Sequence, residues 1–258
     1  MPFVSDDLAY ALSPSLWAED TLGFKPDPWQ RDVLNGAAKK VLLCCSRQSG
    51  KSSVSAIAAL HTAIFQPGSL VLMVSPSLRQ SSEIFRKFLG YLNLLPDMPV
   101  RNENTKLSIT LDNNSRVVSL PGSEGTIRGY SAVDLLLIDE AARVVNDLYF
   151  AVKPMLAISQ GRLLALSTPF GQRGWFHDEF TKGEGLWQKH SIKATDCPRI
   201  SKEFLDEERR SMPNAIFQAE YMCEFTEALD NVFTYEEVAA AISAEVEPLD
   251  FGFGSEEA

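Results

Sequence analysis

The chain has 258 residues, 45% of them hydrophobic, which is enough for one large α/β domain with an appendage. It contains no run of the ~18 hydrophobic residues that a membrane span needs and no signal-peptide pattern, so a cytoplasmic protein is predicted. Its four cysteines form no CxxC pair or Cys/His cluster, so neither a zinc site nor a disulfide framework is predicted. The net charge of −10 is uneven, because residues 211–258 carry eleven acidic and no basic residues, which leaves residues 1–210 at +1. A nucleic-acid partner is therefore not excluded, but its contacts would form a local patch.

Two short helices are predicted before the first strand, one capped by Ser13 and one capped by Asp27. Trp29 and Gln30 lie in the second helix, shortly before a glycine-containing loop. An amide side chain can pair with both N6 and N7 of adenine, so the two residues are interpreted as an adenine contact. The alternative is a capped surface helix with a core tryptophan.

Residues 41–65 have the pattern of a buried strand, a loop of small residues and a helix, which is the context of a phosphate-binding loop. The loop amides and the helix N-terminus would face a polyphosphate such as that of ATP. Lys51 would reach the β- and γ-phosphates, and the Ser52 hydroxyl would ligate Mg²⁺. Cys45 replaces the usual opening glycine, so a chance Gly-Lys-Ser on a surface turn is the alternative. The predicted ATP-binding residues of the loop are Ser46, Arg47, Gln48, Ser49, Gly50, Lys51, Ser52 and Ser53.

The next segments alternate between strand and helix. Residues 70–74 predict a second buried strand and residues 79–92 a helix, as in a parallel sheet. Residues 107–111 and 116–120 flank an Asp-Asn-Asn-Ser turn and predict a β-hairpin at a sheet edge. A flexible loop follows, with Arg128 among glycines.

A second strong motif comes after this loop. Residues 135–138 are apolar enough for a central strand, and Asp139 and Glu140 stand at its carboxyl end, where ligands bind in open α/β sheets. Asp139 suits Mg²⁺ coordination, directly or through water, and Glu140 suits orienting and deprotonating an attacking water. The alternative is a pair of acids that cap the next helix.

Residues 162–166 predict another buried strand, which ends in Ser167, Thr168 and Pro169. In a sheet of this order that end lies beside the phosphate loop. Ser167 or Thr168 would then sense the γ-phosphate and pass its loss onward. An ordinary turn from strand to loop is the alternative.

The chain is predicted to divide into a core of residues 1–194, a helical lid of residues 195–230 and an acidic tail of residues 231–258. The lid contains one helix that Ser201 caps and a second over residues 215–225. The tail has the composition of a frayed end.

Taken together, these motifs resemble the ATPase domain of the large terminase subunit of tailed bacteriophages, a family that pumps viral DNA into an empty capsid. The resemblance covers roughly residues 15–230, and its most specific feature is a loop that has Arg47 and lacks the opening glycine. The matching positions are Trp29 and Gln30 for the adenine contact, Lys51 and Ser52 for phosphate and Mg²⁺, Asp139 and Glu140 for the metal-site acid and the catalytic base, and Ser167, Thr168 and Pro169 for coupling.

The resemblance implies a P-loop NTPase fold of the RecA-like kind, with a mainly parallel central sheet, flanking helices and a small C-terminal helical lid. It implies hydrolysis of ATP with Mg²⁺ in the host-cell cytoplasm. The implied partners are double-stranded DNA, further copies of the chain in a ring (a pentamer in the family), the capsid portal and the small terminase subunit. Large terminases usually carry a C-terminal nuclease domain, for which this length leaves no room, so the chain is interpreted as an ATPase fragment without DNA cleavage.

An arginine is also expected to reach the γ-phosphate, since such a contact accelerates hydrolysis by ~10³–10⁵-fold. Two positions compete for this role. Arg128 would act as a finger in a neighbouring subunit and Arg47 as a nucleotide sensor, or Arg47 would itself act in cis. For DNA, Arg101, Lys106 and Arg116 on or beside the hairpin are candidate contacts to backbone phosphates.

Two other classes of protein share part of this pattern. A superfamily 2 helicase or translocase fragment has the same motif order but needs a second RecA-like domain. A nucleotide-binding assembly scaffold would bind ATP without hydrolysing it, against which the intact Lys51, Asp139 and Glu140 argue.

Overall fold

One eight-stranded sheet organises the computed structural model, which describes residues 4–96, 100–122, 127, 129–183 and 185–226. The strands are β1 (Lys40–Cys45), β2 (Leu70–Ser75), β3 (Val100–Thr105), β4 (Ser108–Leu111), β5 (Arg116–Pro121), β6 (Leu135–Asp139), β7 (Arg162–Ser167) and β8 (Gln188–Ile192). Their order across the sheet is β3-β4-β5-β2-β6-β7-β1-β8. All neighbours from β5 to β8 in that order are parallel, and β4 runs antiparallel to both β3 and β5. The predicted α/β class is confirmed.

Helices cover both faces of the sheet. Within the described residues they are α1 (Val4–Leu12), α2 (Pro14–Leu22), α3 (Pro28–Asn35), α4 (Lys51–Phe65), α5 (Leu78–Leu92), α6 (Asn146–Val152), α7 (Gly174–Thr181), α8 (Lys202–Ser211) and α9 (Asn214–Met222). Short 3₁₀ turns occur at Ala141–Arg143, Lys153–Leu156 and Ala194–Asp196. The Ser13 and Ser201 side chains accept hydrogen bonds from the first turns of α2 and α8, as predicted. None of the helices in the described part of the chain has the length and apolar character that crossing a bilayer requires.

The central strands are apolar on both sides because successive side chains point into two different cores. On one face, Leu43 of β1 and Leu137 of β6 pack with α2, α3, α4 and α5. On the other face, Leu42 and Leu136 pack with α6 and α7. The helices α8 and α9 form a separate small cluster around Leu205, at the position where the sequence predicts the lid.

The structure differs from the predicted elements at three places. The hairpin of β4 and β5 forms, but β3 lies outside it and β5 pairs in parallel with β2, so the prediction that the hairpin is the sheet edge is wrong. The opposite edge strand β8, with the sequence Gln-Lys-His-Ser-Ile, has no apolar run to reveal it. Helix α9 ends at Met222 because Cys223 adopts a left-handed backbone conformation, so it is shorter than the predicted 215–225.

Candidate nucleotide-binding site

The loop between β1 and α4 stands at the carboxyl ends of the parallel strands. Gly50 precedes α4 with a φ of 93°, in the left-handed region that favours glycine. A Cβ added there would lie 2.7 Å from Gln30 Nε2 and 3.3 Å from a side-chain nitrogen of Arg199. The glycine therefore allows the loop to pack closely against the side chains of Gln30 and Arg199.

Replacing Gly50 with alanine is expected to lower the free energy of unfolding by about 1–3 kcal/mol, because it adds a crowded methyl group to a strained backbone conformation. Gly68→Ala is the matched control, since Gly68 has a φ of 77° and no atom within 4 Å of an added Cβ. Urea unfolding of both variants measures the difference. Equal losses in the two variants would contradict the close approach at Gly50.

A polar cavity of about 610 Å³ opens on the outer side of the loop. Its wall consists of Arg47, Gln48, Gly50, Lys51, Ser52, Ser53, Gln80, Lys87, Glu140, Arg143 and Thr168. Four of these side chains are basic and one is acidic, which suits a polyphosphate. The remaining predicted loop residues, Ser46 and Ser49, are buried beneath the cavity, where the Ser49 hydroxyl donates to the Ser46 carbonyl at 2.9 Å.

Glu140 lies across the cavity from the loop and is held by two cations. Lys51 Nζ is 2.9 Å from its Oε1 atom, and Arg143 Nη1 is 2.9 Å from its Oε2 atom. The Glu140 backbone has a φ of 50°, an uncommon conformation for a residue other than glycine and one that recurs at functional sites. The two motifs separated in the sequence, Lys51 and Glu140, are thus brought into direct contact.

Asp139, at the end of β6, is almost fully buried, and its Oδ1 atom has no hydrogen-bond partner among the described residues. Burial, followed by the nearby Glu140 charge, raises the pKa of the Asp139 carboxyl from 3.8 to about 6. Such an unsatisfied buried carboxylate is suited to binding a cation. Within the described ranges, no group of three His, Cys, Asp or Glu side chains is arranged so that it could hold a metal ion by itself. A Mg²⁺ ion here would therefore take Asp139, Ser52, phosphate oxygens and water, which is a usual set for this ion.

Ser167 and Thr168 lie beside the phosphate loop, as expected, because β7 pairs with β1 and places Ser167 opposite Cys44. The Ser167 hydroxyl is buried and has no partner within the described part of the chain. The Thr168 hydroxyl accepts a hydrogen bond from Arg143 at 3.2 Å. Pro169 follows as a buried residue that leads out of the sheet.

Gln30 and Trp29 contact the loop and the core instead of the cavity wall. The buried Gln30 amide accepts from the Asp27 N–H at 2.8 Å and donates to the Ser49 carbonyl at 3.5 Å. Arg199 joins the same group by donating to Asp27 and to the Ser49 carbonyl. The indole of Trp29 packs at the edge of the core. Gln30 therefore positions the loop in this structure, and its contact with adenine stays a prediction.

Arg47 connects the loop to helix α9. Its backbone N–H donates to the Glu220 carbonyl at 2.8 Å, and its guanidinium contacts the Glu220 carboxylate at 2.8 and 3.2 Å. Arg143 Nη2 lies 3.7 Å from the same carboxylate. One acidic side chain of α9 thus faces two arginines of the cavity.

The remaining predicted residues are not brought together. Arg128 and the side chain of Arg101 lie outside the described residues. Arg116 is exposed at the start of β5, with its guanidinium 5.9 Å from the Tyr130 ring. Lys106 is also exposed. It lies near the other end of β5, where the carbonyl of the neighbouring Leu107 accepts a hydrogen bond from the Ser119 N–H. Lys106 and Arg116 therefore do not form one patch, and their contacts with DNA stay predictions.

Several residues that line the cavity or hold its loop were not found from the sequence. Arg143 had a usable signal, because a residue three positions after Glu140 returns to the same side of a 3₁₀ turn. Glu220, Arg199, Gln80 and Lys87 had none, since each reaches the site only through tertiary packing.

The sheet order, the loop and the two acidic positions define a P-loop NTPase fold. A family model described as "Terminase large subunit, T4likevirus-type, N-terminal" matches residues 42–240. The chain belongs to this family, and the resemblance seen in its motifs is confirmed.

Known proteins similar to this chain include the large terminase subunit of Thermus phage G20c, which is 28% identical over 259 residues, covering 86% of this chain and 53% of that protein. The chain thus spans about half the length of the curated relatives it matches. The solved large terminase ATPase domain of Thermus phage P74-26 superposes with a TM-score of 0.74 and 24% identity, over 83% of this chain and 100% of that one. The large terminase of the thermophilic bacteriophage D6E in complex with ADP gives a TM-score of 0.62 and 14% identity, over 78% of this chain and 53% of that one.

Proposed function

We propose that this chain is the ATPase part of a viral DNA-packaging motor, which hydrolyses ATP to drive double-stranded DNA into a procapsid. The observation that carries the proposal is the polar cavity in which Lys51 and Glu140 meet above the loop. It supplies cations for a polyphosphate and a carboxylate for a water molecule at one place. The family membership and the nucleotide complex of the D6E relative support the same function.

In the proposed reaction, Lys51 leaves Glu140 for the γ-phosphate, which carries more negative charge. The released carboxylate orients the attacking water and accepts its proton. Ser52 and Asp139 would hold Mg²⁺, which neutralises charge developing on the phosphates. The Glu140 backbone, fixed in its left-handed conformation, keeps the carboxylate aimed into the cavity.

Coupling to motion is proposed to use the lid. Arg47 already contacts Glu220 of α9, which supports a sensor role, whereas Arg128 is proposed as the finger that acts in a neighbouring copy. Thr168 is proposed to respond to the loss of the γ-phosphate through its hydrogen bond with Arg143. Division into a core (1–194), a lid (195–230) and an acidic tail (231–258) belongs to the same proposal.

The proposed partners are double-stranded DNA, further copies in a ring such as a pentamer, the capsid portal and the small terminase subunit. The proposed location is the cytoplasm of the infected cell. Family membership supports these assignments.

Lys51→Ala is expected to weaken binding of Mg·ATPγS by ~10- to 100-fold, because a charge-assisted contact to phosphate contributes about 1.5–3 kcal/mol. Titration calorimetry measures this change. Lys39→Ala is the matched control, since Lys39 precedes the opposite end of β1 and donates to the Gln160 carbonyl. Binding by Lys51→Ala as tight as that of the wild-type chain would exclude this cavity as the phosphate site.

A further inference from the structure

Arg143 contacts three different segments of the chain, although it is not among the residues predicted from the sequence. Glu140 precedes the 3₁₀ turn Ala141–Arg143, so the arginine returns toward the carboxylate of Glu140. Its Nη1 atom lies 2.9 Å from Glu140 Oε2 and donates to Thr168 Oγ1 at 3.2 Å. Its Nη2 atom lies 3.7 Å from Glu220 Oε1 in α9. The guanidinium also lies 4.7 Å from the centre of the Phe170 ring, which limits its movement.

The two carboxylate oxygens of Glu140 have different partners. Lys51 contacts Oε1, and Arg143 contacts Oε2. A bound polyphosphate would draw Lys51 away from Oε1, whereas Arg143 has a second anchor in Thr168 and a third contact in Phe170. Oε1 would then be free to accept a proton while Oε2 stays fixed. This division gives Glu140 both a free basic oxygen and a defined orientation.

We propose that Arg143 is the positioning residue of Glu140, holding its Oε2 atom so that the released Oε1 atom faces the attacking water. Through Thr168 it also ties that orientation to the segment that follows β7. The inference rests on the proposed roles of Lys51 and Glu140. Arg143 acts through Glu140 and transfers no proton itself.

The contacts explain why arginine is needed at this position. A guanidinium presents several N–H groups in one plane and stacks on an aromatic ring, so it can hold a carboxylate and a hydroxyl while it packs on Phe170. A lysine would keep the charge but lose this fixed geometry. Arg143→Lys should therefore restore only part of what Arg143→Ala loses.

The test compares single-turnover hydrolysis of Mg·ATP with the dissociation constant for Mg·ATPγS in the 258-residue chain. Arg143→Ala is expected to slow hydrolysis by ~10- to 100-fold, the usual cost of a misplaced catalytic group, and to change the dissociation constant by less than about threefold. Arg143→Lys should lie between Arg143→Ala and the wild type. Arg173→Ala is the matched control, because Arg173 lies 5.7 Å from the same Phe170 ring but outside the cavity wall formed by the described residues.

The decisive arm repeats Arg143→Ala in a Glu140→Gln background. If Arg143 acts through Glu140, the double variant hydrolyses ATP no more slowly than Glu140→Gln alone. Additive losses, an unchanged rate in Arg143→Ala, or a loss of binding that matches the loss of rate would each overturn the proposal. A Glu140→Gln variant with the wild-type rate would instead reject the proposed role of Glu140. Should Arg143→Ala not fold, the same cycle with Arg143→Lys distinguishes these outcomes.

Discussion

Asp139→Asn is expected to stabilise the chain at pH 8 by up to about 3 kcal/mol in the absence of Mg²⁺ and nucleotide. The Asp139 carboxyl is buried, has an Oδ1 atom without a partner among the described residues, and has its pKa raised from 3.8 to about 6. The folded state therefore binds the proton more tightly than the unfolded state. The free energy of unfolding therefore falls as the pH rises from about 4 to about 6. Above that range the folded state bears the full cost of the buried, ionised carboxylate. Asparagine carries no charge and removes this cost.

Urea unfolding at pH 8 and pH 4 measures the effect. The gain in Asp139→Asn should be present at pH 8 and largely lost at pH 4, where the carboxyl of the folded state is protonated and that of the unfolded state is about half protonated. Asp178→Asn is the control, because Asp178 is exposed and its pKa is lowered by Lys182. Loss of stability in Asp139→Asn at pH 8 would show that the carboxylate has a stabilising partner. The same variant should lose stabilisation by Mg·ATP if Asp139 holds the metal.

Glu140→Gln is expected to slow ATP hydrolysis by ~10²–10⁴-fold, the usual contribution of a general base. Glutamine keeps the size of the side chain but accepts no proton from water. Binding of Mg·ATPγS should be retained or become tighter, because Lys51 no longer has to leave a carboxylate. Rapid-quench hydrolysis and titration calorimetry separate the two effects.

The control for this variant is Glu83→Gln, which removes an exposed carboxylate that pairs with Arg86 on α5. It should leave both the rate and the affinity unchanged. A Glu140→Gln variant that hydrolyses ATP at the wild-type rate would mean that another group activates the water. An equal loss of binding and of rate would mean that Glu140 shapes the nucleotide pocket instead.

The central strands were predictable because a single local requirement, burial on both faces of the sheet, determines their sequences. Burial on both faces requires near-continuous apolar residues, and β6 with Leu135–Asp139 is buried along its whole length. The loop before α4 was predictable for a similar reason. Its Gly50 has a left-handed backbone conformation and lies close to Gln30, and both features favour glycine. Edge strands are less buried and therefore need fewer apolar residues, so the polar strand β8 was not predicted.

The contacts that complete the site could not be predicted because they join distant parts of the chain. Arg47 and Glu220 are 173 positions apart and meet only when α9 packs beside the loop. Arg199 reaches Ser49 in the same way. Periodicity and motif spacing report on single elements, whereas these side chains depend on how several elements pack together.

The most direct test of the proposed function is steady-state phosphate release from Mg·ATP over a range of concentrations of this chain. The expected result is Mg²⁺-dependent hydrolysis whose specific activity rises with concentration, and Arg128→Ala should remove that rise if Arg128 completes the site of a neighbouring copy. A specific activity that is constant and unaffected by Arg128→Ala would assign the arginine role to Arg47 in cis. No phosphate release at any concentration, with or without double-stranded DNA, would contradict the proposal of an ATP-driven motor and favour a nucleotide-binding scaffold.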